Sequence, residues 1–254
     1  MTASPLDLMV SKLSTRTHLN QDDRRAILKL PFSLRTYQAP TYVVREGEPP
    51  RQHCDFIQDG FAYRQKLTAN GARQIVTIHL RGDFIDLQHL FLNIADHNVQ
   101  ALTELTVVAI ERDALQTIAL ERPAVGKAMW IDALVDSSIY REWVMNVGRR
   151  DARTRIAHVL CEVWLRMKAA GFAVEDGFEL PLTQEQLADV VGLTPVHVNR
   201  TLKSLQDDGV LYRDKRYMSF SDWHKLARIG DFSALYLHLD QAMPGIPGTA
   251  VKSG

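Results

Sequence analysis

Val196, Asn199, Arg200 and Lys203 stand three and four residues apart, so in a helix all four share one face. Together they carry the chemistry of reading base edges. An arginine pairs bidentately with guanine O6 and N7, an asparagine with adenine N6 and N7, and a small apolar side chain covers a thymine methyl. The segment that holds them, LTQEQLADVVGLTPVHVNRTLKSL (Leu182 to Leu205), predicts two short helices joined by a turn. Thr183 and Gln186 have the spacing of a capping box, which starts the first helix. Leu187, Ala188 and Val191 share its inner face, and Gly192 follows where the chain must enter the left-handed region. Thr194 caps the second helix and Pro195 takes its first position, where a missing N–H costs nothing. Val198, Leu202 and Leu205 form the inward stripe. Thr183, Thr194 and His197, at the helix starts, join the set expected to contact DNA. The competing reading is an amphipathic hairpin with a solvated polar face, and the two capped starts around a glycine weigh against it.

Downstream, GVLYRDKRYMSF (Gly209 to Phe220) reads as two short strands around Asp214 and Lys215, a wing with Arg213, Lys215 and Arg216 at or near its tip, placed to contact phosphates. From Leu193 to Ile229 there are seven basic and four acidic residues, a net charge of +3. The whole chain of 254 residues balances 30 basic against 30 acidic side chains and is 46% hydrophobic, enough for two cores. A neutral chain with one basic segment indicates site-selective binding, not general polyanion binding. No apolar run approaches the roughly 20 residues that span a bilayer, and the N-terminus lacks an apolar signal core, so a cytoplasmic protein is expected. Two cysteines, Cys54 and Cys161, are too few and too far apart for a disulfide framework, a structural zinc or an iron–sulfur cluster.

From about Pro40 to Glu111 the pattern is all β: TYVV, CDFI, FAYRQKL, RQIVTIHL, NVQAL and TVVAIE, punctuated by Gly47, Gly60, Gly71 and Gly82. This predicts a β-roll of about eight strands, of jelly-roll type. From Arg122 to about Val147 it changes to a long helix, with Ala128, Ile131, Val135, Ser138 and Met145 near a heptad stripe suited to pairing with a second copy. Packing on its own β-roll is the alternative, because Ser138 and Glu142 weaken that seam. Gly148 and the charged Arg149, Arg150 and Asp151 then read as a hinge into a further helix from Ala152 to about Ala169. The expected organisation is α+β: an N-terminal arm and β-roll over 1–121, a dimerisation helix and hinge over 122–148, a winged helix-turn-helix over 149–221, and an extension over 222–254. In that extension Trp223, Leu226, Ala227, Ile229, Phe232, Leu235 and Leu239 suit one or two short helices, and the segment from Met243 reads as disordered.

This order of elements resembles the Crp/Fnr family of bacterial transcription regulators over about Leu30 to Phe220, on the strings REGEPPRQHCDFIQDGFAYRQKLTANGARQIVTIHLRGDFIDLQHLF and LTQEQLADVVGLTPVHVNRTLKSL. The resemblance implies a cyclic-nucleotide-binding-like sensor domain and a homodimer on a pseudo-palindromic operator, with RNA polymerase as a further partner. Two departures concern the ligand. Asp86 and Leu87 stand where cyclic-nucleotide-binding members place Gly-Glu, and Ala95 and Asp96 stand where they place Arg-Ser or Arg-Thr, so cyclic AMP is not the expected effector. No cysteine precedes Cys54, which argues against an oxygen-sensing cluster. A third departure puts Pro195, Val196 and His197 where many members carry a glutamate, while Arg200 matches the family arginine. His79, His89 and Cys54 are the candidate sensor residues, as axial haem ligands or a redox thiol, beside structural roles for each. Control by abundance alone, without an effector, is the remaining alternative. A cupin-type enzyme would need His-x-His followed by a Glu and a later His, a spacing that His79, His89 and His97 lack, so no catalytic activity is expected.

Overall fold

The computed structural model describes residues 4–173 and 177–239. The chain folds as two units: the described residues up to Lys66 with Thr77–Ser138, and Leu67–Val76 with Ile139–Leu237.

The first unit begins with α1 (Asp7–Ser14) and α2 (Gln21–Leu28), the latter started by a capping box between Asn20 and Asp23. Seven strands follow: β1 (Phe32–Tyr37), β2 (Tyr42–Val44), β3 (His53–Asp59), β4 (Ala62–Leu67), β5 (Arg73–His79), β6 (Asn98–Ala101) and β7 (Leu105–Glu111). They form two sheets, ordered β1-β7-β3 and β2-β6-β4-β5. Strand alternation explains the layering. Cys54 and Phe56 of β3 and Val108 and Ile110 of β7 pack with Leu6, Met9 and Leu13 of the N-terminal segment, whereas Ile57, Leu105 and Val107 turn the other way, onto Val43, Val44, Val99 and Ala101 inside the roll. Both faces of β3 and β7 are therefore buried. Each such aliphatic side chain contributes roughly 1.5–3 kcal/mol. β1 is held by its backbone ladder to β7, since its side chains are mostly exposed.

After α3 (Arg112–Glu121), α4 runs from Pro123 to Arg149. Its faces differ from expectation. Ala128 lies in the same core as Leu115 and Val125, Val135 and Ser138 are buried, and Ile131 is half-buried, so of the expected pairing stripe only Met145 is exposed. The apolar side chains turned outward are Trp130, Leu134, Val144 and Met145. Two apolar stripes run along this helix, and heptad spacing alone does not say which one the chain's own core takes. The hinge also moves. Gly148 is helical, and the chain breaks at Arg150 and Asp151, where the Asp151 carboxylate accepts bonds from the N–H groups of Arg153 and Thr154, both 2.9 Å, to cap α5 (Ala152–Ala169). The unit boundary falls between Ser138 and Ile139, inside α4, because the helix beyond it packs on α5.

The second unit continues with β8 (Gly177–Glu179), α6 (Gln184–Val191), α7 (Pro195–Asp207), β9 (Tyr212–Asp214), β10 (Tyr217–Ser219) and α8 (Trp223–Ile229), then a 3-10 turn at Ala234–Leu237. Leu67–Val76 belongs here because Arg73 Nε pairs with Asp189 Oδ2 at 2.6 Å and the Gln74 amide donates to the carbonyls of Asp189 and Val190. The expected short C-terminal helices are present, and the segment from Met243 lies outside the described residues.

Glu162, with no exposed surface, ties this unit together. Its Oε2 accepts from Trp143 Nε1 of α4 and lies 2.8 Å from the Tyr236 hydroxyl, while Oε1 faces Arg166 Nη1 at 3.3 Å. The same hydroxyl is 3.1 Å from Nε2 of His158, whose Nδ1 donates to the Gly230 carbonyl at 3.1 Å. Tyr236 has one proton for two claimants. Burial pushes the Glu162 carboxyl above its ordinary 4.5 and pulls His158 down from 6.5 to about 4. A lowered histidine contributes stability that is lost as the pH falls from 6.5 towards 4, and a raised carboxyl contributes stability that is lost as the pH rises from 4.5 through its folded value. Over their overlap, upward from pH 4.5, the two slopes cancel. Glu162→Gln is therefore expected to make the unfolding free energy fall more steeply on acidification than in wild type above pH 4.5, by at most about 1.4 kcal/mol per pH unit. Urea titrations at stepped pH check this; parallel curves for the two proteins contradict the assignment.

Candidate nucleic-acid interface

The reading surface is assembled as the local sequence requires. Thr183 Oγ1 accepts from Gln186 N at 3.2 Å and the Gln186 side chain bonds back to Thr183 N at 2.8 Å, completing the capping box of α6. Gly192 ends α6 at φ 64°, ψ 42°, a conformation that costs a residue with a Cβ roughly 1–2 kcal/mol. Thr194 Oγ1 then accepts from His197 N at 3.2 Å, with Pro195 in the first turn of α7. Val198, Leu202 and Leu205 are buried beneath it. Arg153 of α5 pairs with Asp208 at 2.6 Å and donates to Ser204 at 2.9 Å, which pins the far end of α7.

What remains outward is the expected face. Val196 is 80% exposed, and Asn199, Arg200 and Lys203 are exposed beside it. With Arg213 the last three line one open groove. Thr183 and Thr194 are exposed at the N-terminal ends of their helices, where backbone N–H groups favour phosphate, and His197 is half-buried.

The wing is a three-stranded sheet ordered β8-β10-β9, one strand more than expected. Gly177–Glu179 was not legible as a strand because three residues carry no periodicity. Trp164, Phe220 and Trp223 anchor the wing, with centroids 4.3 Å apart for the Trp pair and 5.2 Å for Trp164 and Phe220. Lys215 sits at the turn at φ 53°, and Lys215 and Arg216 are exposed, as expected. Arg213 behaves differently. It is half-buried, its Nε donates to the Lys215 carbonyl at 3.1 Å, and its guanidinium turns onto Gln184 and Asn199. Gln184 lies outside both the cap pair and the apolar stripe, so no sequence signal singled it out.

The sensor candidates fare unevenly. Cys54 is 2% exposed in the apolar core, and burial, then the nearby Asp86, pushes its thiol well above the ordinary range. Reactive thiols need the reverse, so the redox role for Cys54 is withdrawn. His79 is buried at the end of β5. His89, in the 3-10 turn Leu87–Leu90, stacks on His97 at 6.1 Å, and its buried Nε2 has no hydrogen-bond partner among the described residues. Burial lowers the pKa of His89 and takes that of His97 down to about 4, while His97 Nδ1 faces Asp96 Oδ1 at 2.5 Å. Asp86, in the Gly-Glu position, is buried; its carboxylate takes Arg51 Nη2 at 2.6 Å and Asp55 N at 2.9 Å. Burial raises the Asp55 carboxyl to about 6, with Arg51 opposing at 3.0 Å. Among the described residues no group of three or more His, Cys, Asp or Glu could hold a metal ion, and no helix is long and apolar enough to cross a membrane.

A β-roll, a long helix and a capped helix-turn-helix with a wing define a DNA-binding transcription regulator with a cyclic-nucleotide-binding type of sensor domain. The cyclic nucleotide-binding domain family matches residues 34–122 and the Crp-like helix-turn-helix domain family matches 154–229. The transcriptional activator protein FnrL of Cereibacter sphaeroides is 30% identical over 199 residues, covering 76% of this chain and 78% of its own length. The nitrogen fixation regulation protein FixK of Bradyrhizobium diazoefficiens is 28% identical over 159 residues, covering 61% of this chain and 64% of its own. The solved structure of FixK2 from Bradyrhizobium japonicum superposes with a TM-score of 0.72 at 24% identity, covering 79% of this chain and 98% of that one. The chain belongs to the Crp/Fnr family of transcription regulators.

Cys54 and Cys161 are both buried, with thiols pushed above their ordinary value. Titration of the native protein with an aromatic disulfide reagent at pH 8 is expected to modify neither, and both should react at once in denaturant. Rapid native modification of one thiol would restore the redox reading for Cys54.

Proposed function

We propose that this regulator acts as a homodimer on a two-fold symmetric operator, with paired α7 helices entering successive major grooves about 34 Å apart. The observation that carries the reading is the exposed face of α7, where Arg200, Asn199 and Val196 face solvent above a buried stripe. Arg200 reads a guanine, Asn199 an adenine, and Val196 a thymine methyl. Lys203, Lys215 and Arg216, with the helix starts at Thr183 and Thr194, hold phosphates. Because no glutamate stands near the start of α7, the half-site keeps the guanine but differs from that of glutamate-bearing relatives where a cytosine would be contacted. The dimer seam is Trp130, Leu134, Val144 and Met145, large apolar side chains that one chain leaves in solvent. As a regulator of transcription it works in the cytoplasm with RNA polymerase as its partner.

The signal is proposed to be something other than a cyclic nucleotide. In support, Asp86 puts a buried carboxylate in the place of Gly-Glu, and Arg51, the cation beside it, is already engaged by Asp86 and Asp55. Ala95 and Asp96, in the place of Arg-Ser, offer a phosphate a carboxylate and no guanidinium.

Selection of sites from random duplex DNA, at stated salt and without effector, is expected to enrich a two-fold symmetric sequence. Arg200→Ala should cost roughly 1–3 kcal/mol on that site and relax one position in each half. Equal affinity of wild type and Arg200→Ala on the selected site contradicts the assignment of α7. In the same preparation, Leu134→Asp should shift the protein to monomer in sedimentation, with its circular dichroism unchanged.

A further inference from the structure

Helix α6 ends in carbonyls that need partners, because the last turn of a helix leaves its C=O groups without N–H donors further along. Gly192 N and Leu193 N both turn back to the Ala188 carbonyl. The three carbonyls that follow accept from side chains. Arg155 Nη1 of α5 donates to Val191 O at 2.7 Å, and Gln74 Nε2 donates to Asp189 O at 2.7 Å and lies 3.1 Å from Val190 O. Gln74 stands in β5, 115 residues before Asp189 in the chain. Its amide nitrogen also faces the Ile75 carbonyl at 3.0 Å, so acceptors surround that nitrogen and decide which way the carboxamide turns. The preceding residue, Arg73, pairs with the Asp189 side chain, Nε to Oδ2 at 2.6 Å. Two consecutive residues of one strand thus hold the backbone and the side chain of one residue of α6.

The place they hold is the one that sets the recognition helix. Gly192, in the left-handed conformation, is the corner between α6 and α7, and only Leu193 and the capping Thr194 separate it from Pro195. A Cβ built on Gly192 would lie 3.9 Å from Gln74 Oε1, 3.7 Å from Arg155 Nη1 and 3.2 Å from Val147 Cγ1, so these three side chains close around the corner. The hairpin that carries Arg73 and Gln74 is itself closed. Thr68 N donates to Ala72 O and Gly71 N to Thr68 O, both at 2.9 Å, with Gly71 at φ 83°. Leu67–Val76 folds with the second unit, although β4 and β5, which it joins, are neighbours in the four-stranded sheet.

We propose that Gln74, with Arg73, is a positioning residue for DNA reading: the β4–β5 hairpin holds the C-terminal end of α6 and so fixes the corner from which α7 departs. This rests on the reading of α7 as the recognition helix. The helix-turn-helix is thereby completed by a segment that lies outside the span 154–229 matched by its own domain family. A shift of β4 or β5 reaches α7 through the same contact.

Specific reading demands that the side chains of α7 meet base edges within hydrogen-bonding tolerance, whereas attachment to phosphates by charge does not. Loss of the clamp therefore falls on the operator and spares unrelated DNA.

The test compares affinities for the enriched operator and for a random duplex of equal length, at one salt concentration and at a temperature where every variant is folded by circular dichroism. Gln74→Met keeps the length of the side chain and removes its donors. It is expected to weaken operator binding about fivefold or more while leaving binding to the random duplex unchanged. Asp189→Arg adds positive charge, which by itself strengthens attachment to DNA. Because it also sets a cation against Arg73, it is expected to weaken operator binding all the same, and adding Arg73→Asp to it should restore the wild-type ratio of operator to random binding. Equal operator affinity in Gln74→Met and wild type, a loss shared equally by the random duplex, stronger operator binding in Asp189→Arg, or no recovery in the exchanged pair overturns the proposal while leaving the recognition helix in place. Failure of wild type to enrich any site overturns the reading beneath it.

Discussion

A carboxyl group cannot be buried without partners, and Glu162 finds all of its partners on three separate stretches of chain. Trp143 comes from the long helix, Arg166 from the helix that carries Glu162, and Tyr236 from the C-terminal turn. Leaving such a group unsatisfied costs far more than the net gain from one hydrogen bond, so these elements are held to one arrangement. Helix α5, fixed in this way, is the platform on which the reading helices and the wing are built.

The sensor half obeys the same rule in another form. Strands β3 and β7 are buried on both faces, so one face of each serves the core with the N-terminal helices and the other lines the roll. Asp55 falls on the inner face by strand alternation and has to be answered there, which Arg51 does while pairing with Asp86 as well. Inside the roll the buried carboxylates Asp55 and Asp86 gather around Arg51.

The helix-turn-helix was legible because its signals are local. A capping threonine, a glycine at a positive φ and a proline in the first turn each act over three or four residues, and the structure places Thr183, Gly192, Thr194 and Pro195 in those roles. The strands from Tyr42 to Glu111 were legible through alternation and punctuating turns. β1 was not, because Phe32–Tyr37 shows no buried face and is a strand only through its ladder to β7. α1 and α2 were passed over as an arm, although Asn20 and Asp23 held a capping signal.

By itself, then, the sequence determined the kinds of element, their order, and the residues that a reading helix turns outward, since all of these follow from backbone preferences and short periodicities. Only the tertiary structure decided which of two apolar stripes on α4 serves the chain's own core, that Cys54 is sealed from solvent, and that Arg213 leaves the wing tip to join Gln184 and Asn199. Each of these depends on groups far apart in the chain. Burial and hydrogen-bond partnership are properties of the packed neighbourhood, and no spacing along one segment contains them.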